Sequence, residues 1–345
     1  MALSADEIRE MAQSIEQLIT NVTTQTKIND AIVMRLLALE RKLTELTGLG
    51  QRSNGEPRVA SVASAPAIAA RALSAAAPVP AQTPVEIRDP LPMYLGNSLA
   101  LCRVMKSFAM YVDTRDTYIT PRLLLSGEWE PAETQLILRL VRPGMTFVDV
   151  GANFGYFTLL AAAGVGEEGR VYAFEPDARN LEILDRNLQV NCYSARVKIF
   201  PNAVLDAPKK VQLHRNRRNL GNHTLFVTDR QNADADPVAV DAVRLDDAVE
   251  GVADFVKIDA EGREPLIFRG MRGLMARSPK LTILTEFNLI ALKAAGFAPQ
   301  DFLRELGEYG YTVHSVTPQA TWIPANTEAL LQQRLSTLLL TKKSM

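Results

Sequence analysis

Five apolar runs of β-type composition, at 146–150, 170–175, 196–200, 254–258 and 281–285, alternate with helical runs at 155–163, 178–190, 262–276 and 299–307. This alternation constrains the fold more than any other feature. Apolar strands separated by helices call for a parallel sheet buried on both faces, because each parallel connection must cross over and pack back onto the sheet. YTVHSV (311–316) and RLSTLLLT (334–341) supply two more strands, expected as an antiparallel pair at one edge. The stretch 203–244 holds short β-like pieces (KKVQLH, HTLFVT, VAVDAVRL) and reads as a hairpin excursion at the sheet edge. Upstream, a helix is expected over about 96–112, and another from Pro131 to about Leu140, since proline suits the first helical position. Residues 91–345 are therefore read as one α/β domain with a parallel sheet covered by helices on both faces.

Two further regions precede it. Over residues 5–47, Ile8, Ile15, Val22, Asn29, Leu36 and Leu43 share one heptad position, and Met11, Leu18, Gln25, Ile32, Leu39 and Leu46 share the other. A repeat this long predicts a coiled-coil helix over 1–49 and a homo-oligomer formed through 5–47, with Asn29 and Gln25 as polar interruptions of the seam. The alternative is an amphipathic helix lying on the chain's own domain. Residues 50–90 are Ala/Pro/Ser-rich and predicted to be a disordered linker, with an r.m.s. span of roughly 35 Å.

The formal net charge of −1 over 345 residues gives no reason to expect a nucleic-acid partner. Cys102 and Cys192 have no metal-site or disulfide-framework spacing. No apolar run approaches the roughly 20 residues of a transmembrane segment, and the N-terminus does not read as a secretory signal, so the expected location is cytoplasmic.

The stretch TFVDVGANFGYFTL (146–159) is a strand that breaks into a glycine turn and re-enters an apolar helix. Asp149 closes the strand, and Gly151 and Gly155 bracket Asn153. Glycine at 151 is expected to let the backbone turn sharply and approach a ligand that a Cβ would obstruct. A dinucleotide fingerprint would place a second glycine where Asn153 stands, so the turn suits a group smaller than a pyrophosphate. A turn with no ligand is the alternative. One βα unit later, RVYAFEPD ends in Glu175, where an acid can accept hydrogen bonds from both hydroxyls of a ribose. Asp177, beyond Pro176, suits a helix cap. Turn and acid together point to an adenosine-bearing cofactor without a pyrophosphate, and S-adenosyl-L-methionine fits both.

FVDVGANFGYFTLLAA, VYAFEPDARNLEILDRNLQVN, VRLDD and FVKIDAEGREPLIFRGM, in this order, resemble the FkbM-type S-adenosylmethionine-dependent methyltransferases over about 120–340. The resemblance implies a Rossmann-like, seven-stranded class I methyltransferase sheet with an antiparallel last strand. It implies O-methylation of a hydroxyl, often on a sugar, glycan or small molecule, and sets Asn202 and Ala203 beside the adenine ring.

FVKIDAEG (255–262) places Asp259 at the carboxyl end of a strand expected beside 146–150, facing the cofactor's methyl. A carboxylate there can orient an acceptor hydroxyl and accept its proton. Glu261 is read as its supporter or alternate, and Glu286, ending the next strand, as a substrate contact or, with Asp259, a holder of a divalent ion. The motifs themselves require no metal. Against these readings, Glu261 could cap a helix and Lys257 could pair with Asp259 structurally. Trp129 and Glu130 are expected to cover the pocket, or to be plain packing. His223, in a polar loop, is either an acid–base group or a hydrogen-bonding residue, and HRNRRN (214–219) is by default solvated. Two other functions compete: a nicotinamide-dependent oxidoreductase, disfavoured by the missing second glycine, and a coiled-coil scaffold with an inactive methyltransferase-like domain.

Overall fold

The computed structural model of the chain describes residues 92–216, 223–225 and 237–342. The heptad region, the Ala/Pro/Ser-rich stretch, 217–219 of the basic run and 226–228 of HTLFVT lie outside the described residues.

The first described segment departs from expectation. Instead of a helix over 96–112 there is an antiparallel sheet of β1 (Met93–Gly96), β2 (Leu99–Val104) and β3 (Phe108–Asp113). Its two turns run through Asn97–Ser98 and Met105–Lys106, all at φ between 50° and 58°. Left-handed pairs of this kind belong to tight hairpins, but Met-Lys carries none of the glycine or asparagine chemistry that announces one. The free side of β3 is covered by side-chain amides: Asn187 exchanges hydrogen bonds with the backbone of Tyr111 (2.6 and 3.0 Å), and Asn191 with that of Ala109 (3.1 and 2.7 Å). Two asparagines one helical turn apart thus stand in for a neighbouring strand.

Helices α1 (Ile119–Ser126) and α2 (Pro131–Leu140) lead into the main sheet. The α/β alternation then follows the sequence reading: β4 (Thr146–Val150), α3 (Tyr156–Val165), β5 (Arg170–Phe174), α4 (Ala178–Val190) and β6 (Val197–Phe200). The excursion forms a small sheet of its own rather than a hairpin on the main edge. In it β7 (Ala203–Val204) pairs in parallel with β9 (Pro237–Val243), which pairs antiparallel with β8 (Lys209–His214). After α5 (Leu245–Ala248) and β10 (Phe255–Ile258), the helix expected at 262–276 is split into α6 (Glu264–Arg269) and α7 (Arg272–Arg277). Gly270 marks the break, where a Cβ would meet the Leu205 carbonyl oxygen at 2.2 Å. The chain closes with β11 (Thr282–Asn288), α8 (Leu289–Ala294), α9 (Pro299–Glu308), β12 (Tyr311–Val316), β13 (Trp322–Pro324), α10 (Thr327–Leu330) and β14 (Leu335–Lys342).

The main sheet has eight strands in the order β13-β12-β14-β11-β10-β4-β5-β6. Its β4, β5, β6, β10 and β11 run parallel, and β14 inserts antiparallel between β11 and β12. The expected antiparallel pair is present; the eighth strand is β13, which the seven-strand expectation lacked, paired to the outer side of β12. Strand alternation divides the core into two layers. Phe147, Val171, Phe255 and Leu284 join the cluster built on α3, α4 and the N-terminal sheet, with Phe147 and Phe255 stacked at 5.1 Å. Val148, Tyr172, Val256 and Ile283 join the cluster built on α6 to α9. Helix α3 is apolar all round and nearly every residue in it is buried, as expected of a helix wedged between the sheet and a second layer. Among the described residues no helix is long and apolar enough to cross a membrane.

Candidate active site

The same alternation aims the polar residues. Asp149 continues the face of Phe147, Glu175 that of Ala173, Lys257 and Asp259 that of Phe255, and Glu286 that of Leu284. All therefore leave the sheet on one side. Since β5, β4, β10 and β11 are consecutive neighbours, the ends of β5 and β10 lie about 10 Å apart and the end of β11 about 5 Å further on. The crevice outside these strand ends is where an open parallel sheet holds ligands.

At its β5 end, the glycine turn is tied down by the N–H groups of Gly151 and Ala152, which both donate to the Phe174 carbonyl at 3.0 Å. Gly151 (φ +82) and Gly155 (φ +87) do adopt the left-handed conformation that favours glycine. The reason a side chain is excluded, however, differs from the ligand contact expected. A Cβ at 151 would stand 2.0 Å from the Asp259 carbonyl oxygen, and one at 155 would stand 2.3 Å from Leu184 Cδ1 of α4. These glycines let the turn nest against the neighbouring loop and helix. Asn153 is also left-handed, at φ 50.

Glu175 is buried, and its two oxygens accept the backbone N–H groups of Asn153 (2.9 Å) and Asp177 (2.8 Å). Burial pushes its carboxyl up to about 7, held back by those two amides. A carboxylate offers about four acceptor positions, so capacity remains toward the cleft. Asp177 caps α4, accepting from the N–H groups of Arg179 and Asn180. Asn202 donates to the Asp241 carbonyl at 3.2 Å, and with Ala203 it lines the same cleft.

At the β10 end, the buried Lys257 ammonium lies 3.1 Å from Asp259 Oδ2 and 4.6 Å from the centre of the Phe157 ring. The ion pair weighed as the structural alternative is thus present, yet Asp259 keeps 30% of its side chain exposed and faces the cleft. Burial opposes the charge on Lys257, but Asp259, Glu130 and Asp149 outweigh it and raise its pKa. Glu261 (φ 49) and Glu286 are both held well above the usual carboxylate range, first by burial and then by Asp259. Glu286 Oε2 is buried with no hydrogen-bond partner. The helix cap weighed for Glu261 is not formed, since α6 has no side-chain cap hydrogen bond; Glu264 instead braces the preceding loop, its Oε1 accepting from Ala260 (3.1 Å) and Gly262 (3.2 Å), and burial pushes its carboxyl up to about 7.

Glu130 enters from the opposite wall. It precedes Pro131, caps α2 without a side-chain hydrogen bond and sits at φ 42, ψ 73. A residue before proline normally takes an extended conformation, so this is a strained position. Burial pushes its carboxyl up to about 8, Lys257 pulls it down, and Asp259 and Glu133 push it up again. Trp129 beside it packs edge-on against Tyr118 at 5.6 Å.

These groups line one cleft of about 1390 Å³, shared by Gly151, Asn153, Glu175, Lys257, Asp259 and Glu286. A single drug-sized ligand needs about 300–1,000 Å³, so there is room for two. Asp149 stands behind the wall rather than on it: it is buried, and Thr158 donates to its Oδ2 at 2.6 Å. Gly155 lies among α4 side chains and also does not reach the cleft surface. His223 lines the cleft as a braced neutral group. Its Nδ1 accepts from the Asn216 N–H at 3.1 Å, Asp177 is 4.0 Å from its Nε2, and burial lowers its pKa. Among the described residues no three His, Cys, Asp or Glu side chains are grouped to hold a metal ion. Sequence reasoning missed Glu264 and the Glu130–Lys257 coupling. Glu130 and Trp129, expected over the pocket, do line it, as does Lys257, expected only as a partner of Asp259; what no local pattern announces is that Glu130 and Lys257 meet.

No curated protein matches the chain. Among solved structures, the chain is similar to the methyltransferase FkbM from Methylobacillus flagellatus KT (17% identity, 65% of this chain and 53% of that one, TM-score 0.37). It is similar to a SAM-dependent O-methyltransferase from Thermotoga maritima (12%, 71% and 78%, 0.38). It is also similar to an rRNA methylase from Streptococcus thermophilus (12%, 61% and 95%, 0.36). The family model of the Methyltransferase FkbM domain matches residues 149–313, from Asp149 of the first sheet strand to Val313 of β12. That segment holds the glycine turn, Glu175 and Asp259, and over it the chain matches the FkbM methyltransferase domain that the sequence motifs resemble.

Proposed function

We propose that this methyltransferase uses S-adenosyl-L-methionine to O-methylate a hydroxyl of a sugar or glycan. The observation that carries the reading is one cleft with a buried strand-end acid, Glu175, at one end and Asp259 about 10 Å away at the other. The residues fit the cofactor: Glu175 retains acceptor capacity for a diol, Asn202 and Ala203 border the same cleft, and Asn153 stands where a dinucleotide fingerprint has its second glycine. When bound, the cofactor supplies an electrophilic methyl group. Asp259 then orients the acceptor hydroxyl and takes its proton, while the Lys257 ammonium, 3.1 Å away, holds the carboxylate in place. Glu261 and Glu286 bound the acceptor side of the cleft, and the volume beyond Asp259 admits the acceptor.

Calorimetry with S-adenosylhomocysteine and with NAD tests the cofactor: the first is expected to bind and the second not, and the reverse removes the reading. Asp259→Asn is expected to slow turnover on an identified acceptor by ~10²-fold or more, with S-adenosylhomocysteine affinity changed less than threefold. Near-normal turnover in that variant would take the base role away from Asp259. Beside this function we propose self-association through 5–47, a linker over 50–90 and a cytoplasmic setting; sedimentation of the full chain against a chain lacking 1–49 tests the first.

A further inference from the structure

Positive charge is scarce at the β10 end of the cleft. Glu130, Asp259, Glu261 and Glu286 all line it, and Lys257 is the buried cation among them. Lys257 is committed to Asp259. Glu286 keeps a buried oxygen with no hydrogen-bond partner, and Glu130 is held in a strained left-handed conformation with no side-chain hydrogen bond to its own helix. A site arranged this way favours a ligand that brings a cation.

We propose that Glu130, Glu261 and Glu286, together with Asp259, make the cleft discriminate on charge, holding the sulfonium form of the cofactor more tightly than the neutral thioether left after methyl transfer. The inference rests on the S-adenosylmethionine reading above and adds a role for three carboxylates on the side of the cleft away from the ribose acid. It also accounts for the balance of the reaction. The acceptor oxygen–carbon bond forms as the sulfur–carbon bond breaks, with the electron pair remaining on sulfur, and the hydroxyl proton passes to a carboxylate. The carboxylate end therefore holds one added positive charge before the step and one after it. The spent cofactor has lost the charge that held it, which favours its release.

The other charged groups packed around this end are Glu133 from α2, Asp149 from β4, Arg263 and Glu264 at the start of α6, and Arg334 at the exposed rim. Glu130, Glu261 and Glu286 all have raised pKa values, so they ionise progressively on going to alkaline pH. Affinity for a cation is then expected to rise with pH, while affinity for a neutral ligand stays flat.

Calorimetry on the full chain with S-adenosylmethionine, S-adenosylhomocysteine and sinefungin, whose amine replaces the sulfonium, tests this. Both cationic ligands are expected to bind at least tenfold more tightly than S-adenosylhomocysteine at pH 8, with the preference shrinking at pH 6. Glu286→Gln and Glu130→Gln, each checked for a native melting transition, are expected to weaken S-adenosylmethionine three- to tenfold and leave S-adenosylhomocysteine unchanged. Equal affinity for charged and neutral ligands, or equal losses for both in the variants, overturns this inference alone. Failure of all three ligands to bind overturns the cofactor reading together with it.

Discussion

Replacing Gly151 by alanine tests the nesting of two loops on which the site geometry depends. The added Cβ would stand 2.0 Å from the Asp259 carbonyl oxygen, where ordinary contact begins at 3.4 Å, so the two backbones must part by about 1.4 Å. Neither can do so freely, because the Asp259 N–H donates to the Val150 carbonyl at 3.1 Å and Gly151 is itself tied to Phe174. An L-residue at φ +82 costs about 1–2 kcal/mol, and forcing packed backbone apart costs about 1–3 kcal/mol more. The expected loss is therefore about 2–5 kcal/mol, measured by urea unfolding at constant m-value. Gly144→Ala is the control: its φ is +83 and nothing lies within 4 Å of its Cβ position, so it carries the strain without the clash. A folded Gly151→Ala protein should also lose ~10²-fold in turnover, because the clash displaces Asp259. If Gly151→Ala is no more destabilising than Gly144→Ala, within about 0.5 kcal/mol, the close approach of these loops is refuted.

The unliganded protein is expected to lose stability as pH rises from about 4.5 to about 7. Glu264, raised in the folded state, keeps its proton there while the unfolded chain gives it up, so its contribution is fully present below the unfolded value and gone above the folded one. Glu264→Gln keeps an acceptor for Ala260 and Gly262, and should flatten the melting temperature over that window; an unchanged slope would count against the raised carboxyl. Lys257→Met preserves the bulk over Phe157 but strands Asp259 beside Glu130 and Asp149, and is expected to cost about 3 kcal/mol in chemical denaturation. A loss below about 0.5 kcal/mol would mean the ammonium compensates nothing.

Much of this molecule was legible before any coordinates. The runs at 146–150, 170–175 and 254–258 are short, apolar and bounded by turn chemistry, so burial on both faces leaves them no role other than central parallel strands. Glu175 and Asp259 were placed at strand ends by the same reasoning, and strand parity sends both to one face. The 96–112 segment was not legible in this way. Its apolar spacing fits both helical and strand periods, and the hairpin turn at Met105–Lys106 relies on left-handed residues with no local preference for it.

What the sequence determined by itself is the layered α/β order and the strand ends at which acids emerge, because periodicity of two or of three to four residues is a property of neighbours along the chain. What only the tertiary structure decided is which charges meet. Glu130 comes from a helix cap more than a hundred residues from Lys257 and Asp259, and Gly151 is barred a side chain by a carbonyl from another strand's loop. Such encounters depend on how layers dock and loops nest, and they shift carboxyl groups through burial and through charges brought near in space, neither of which is written in local pattern.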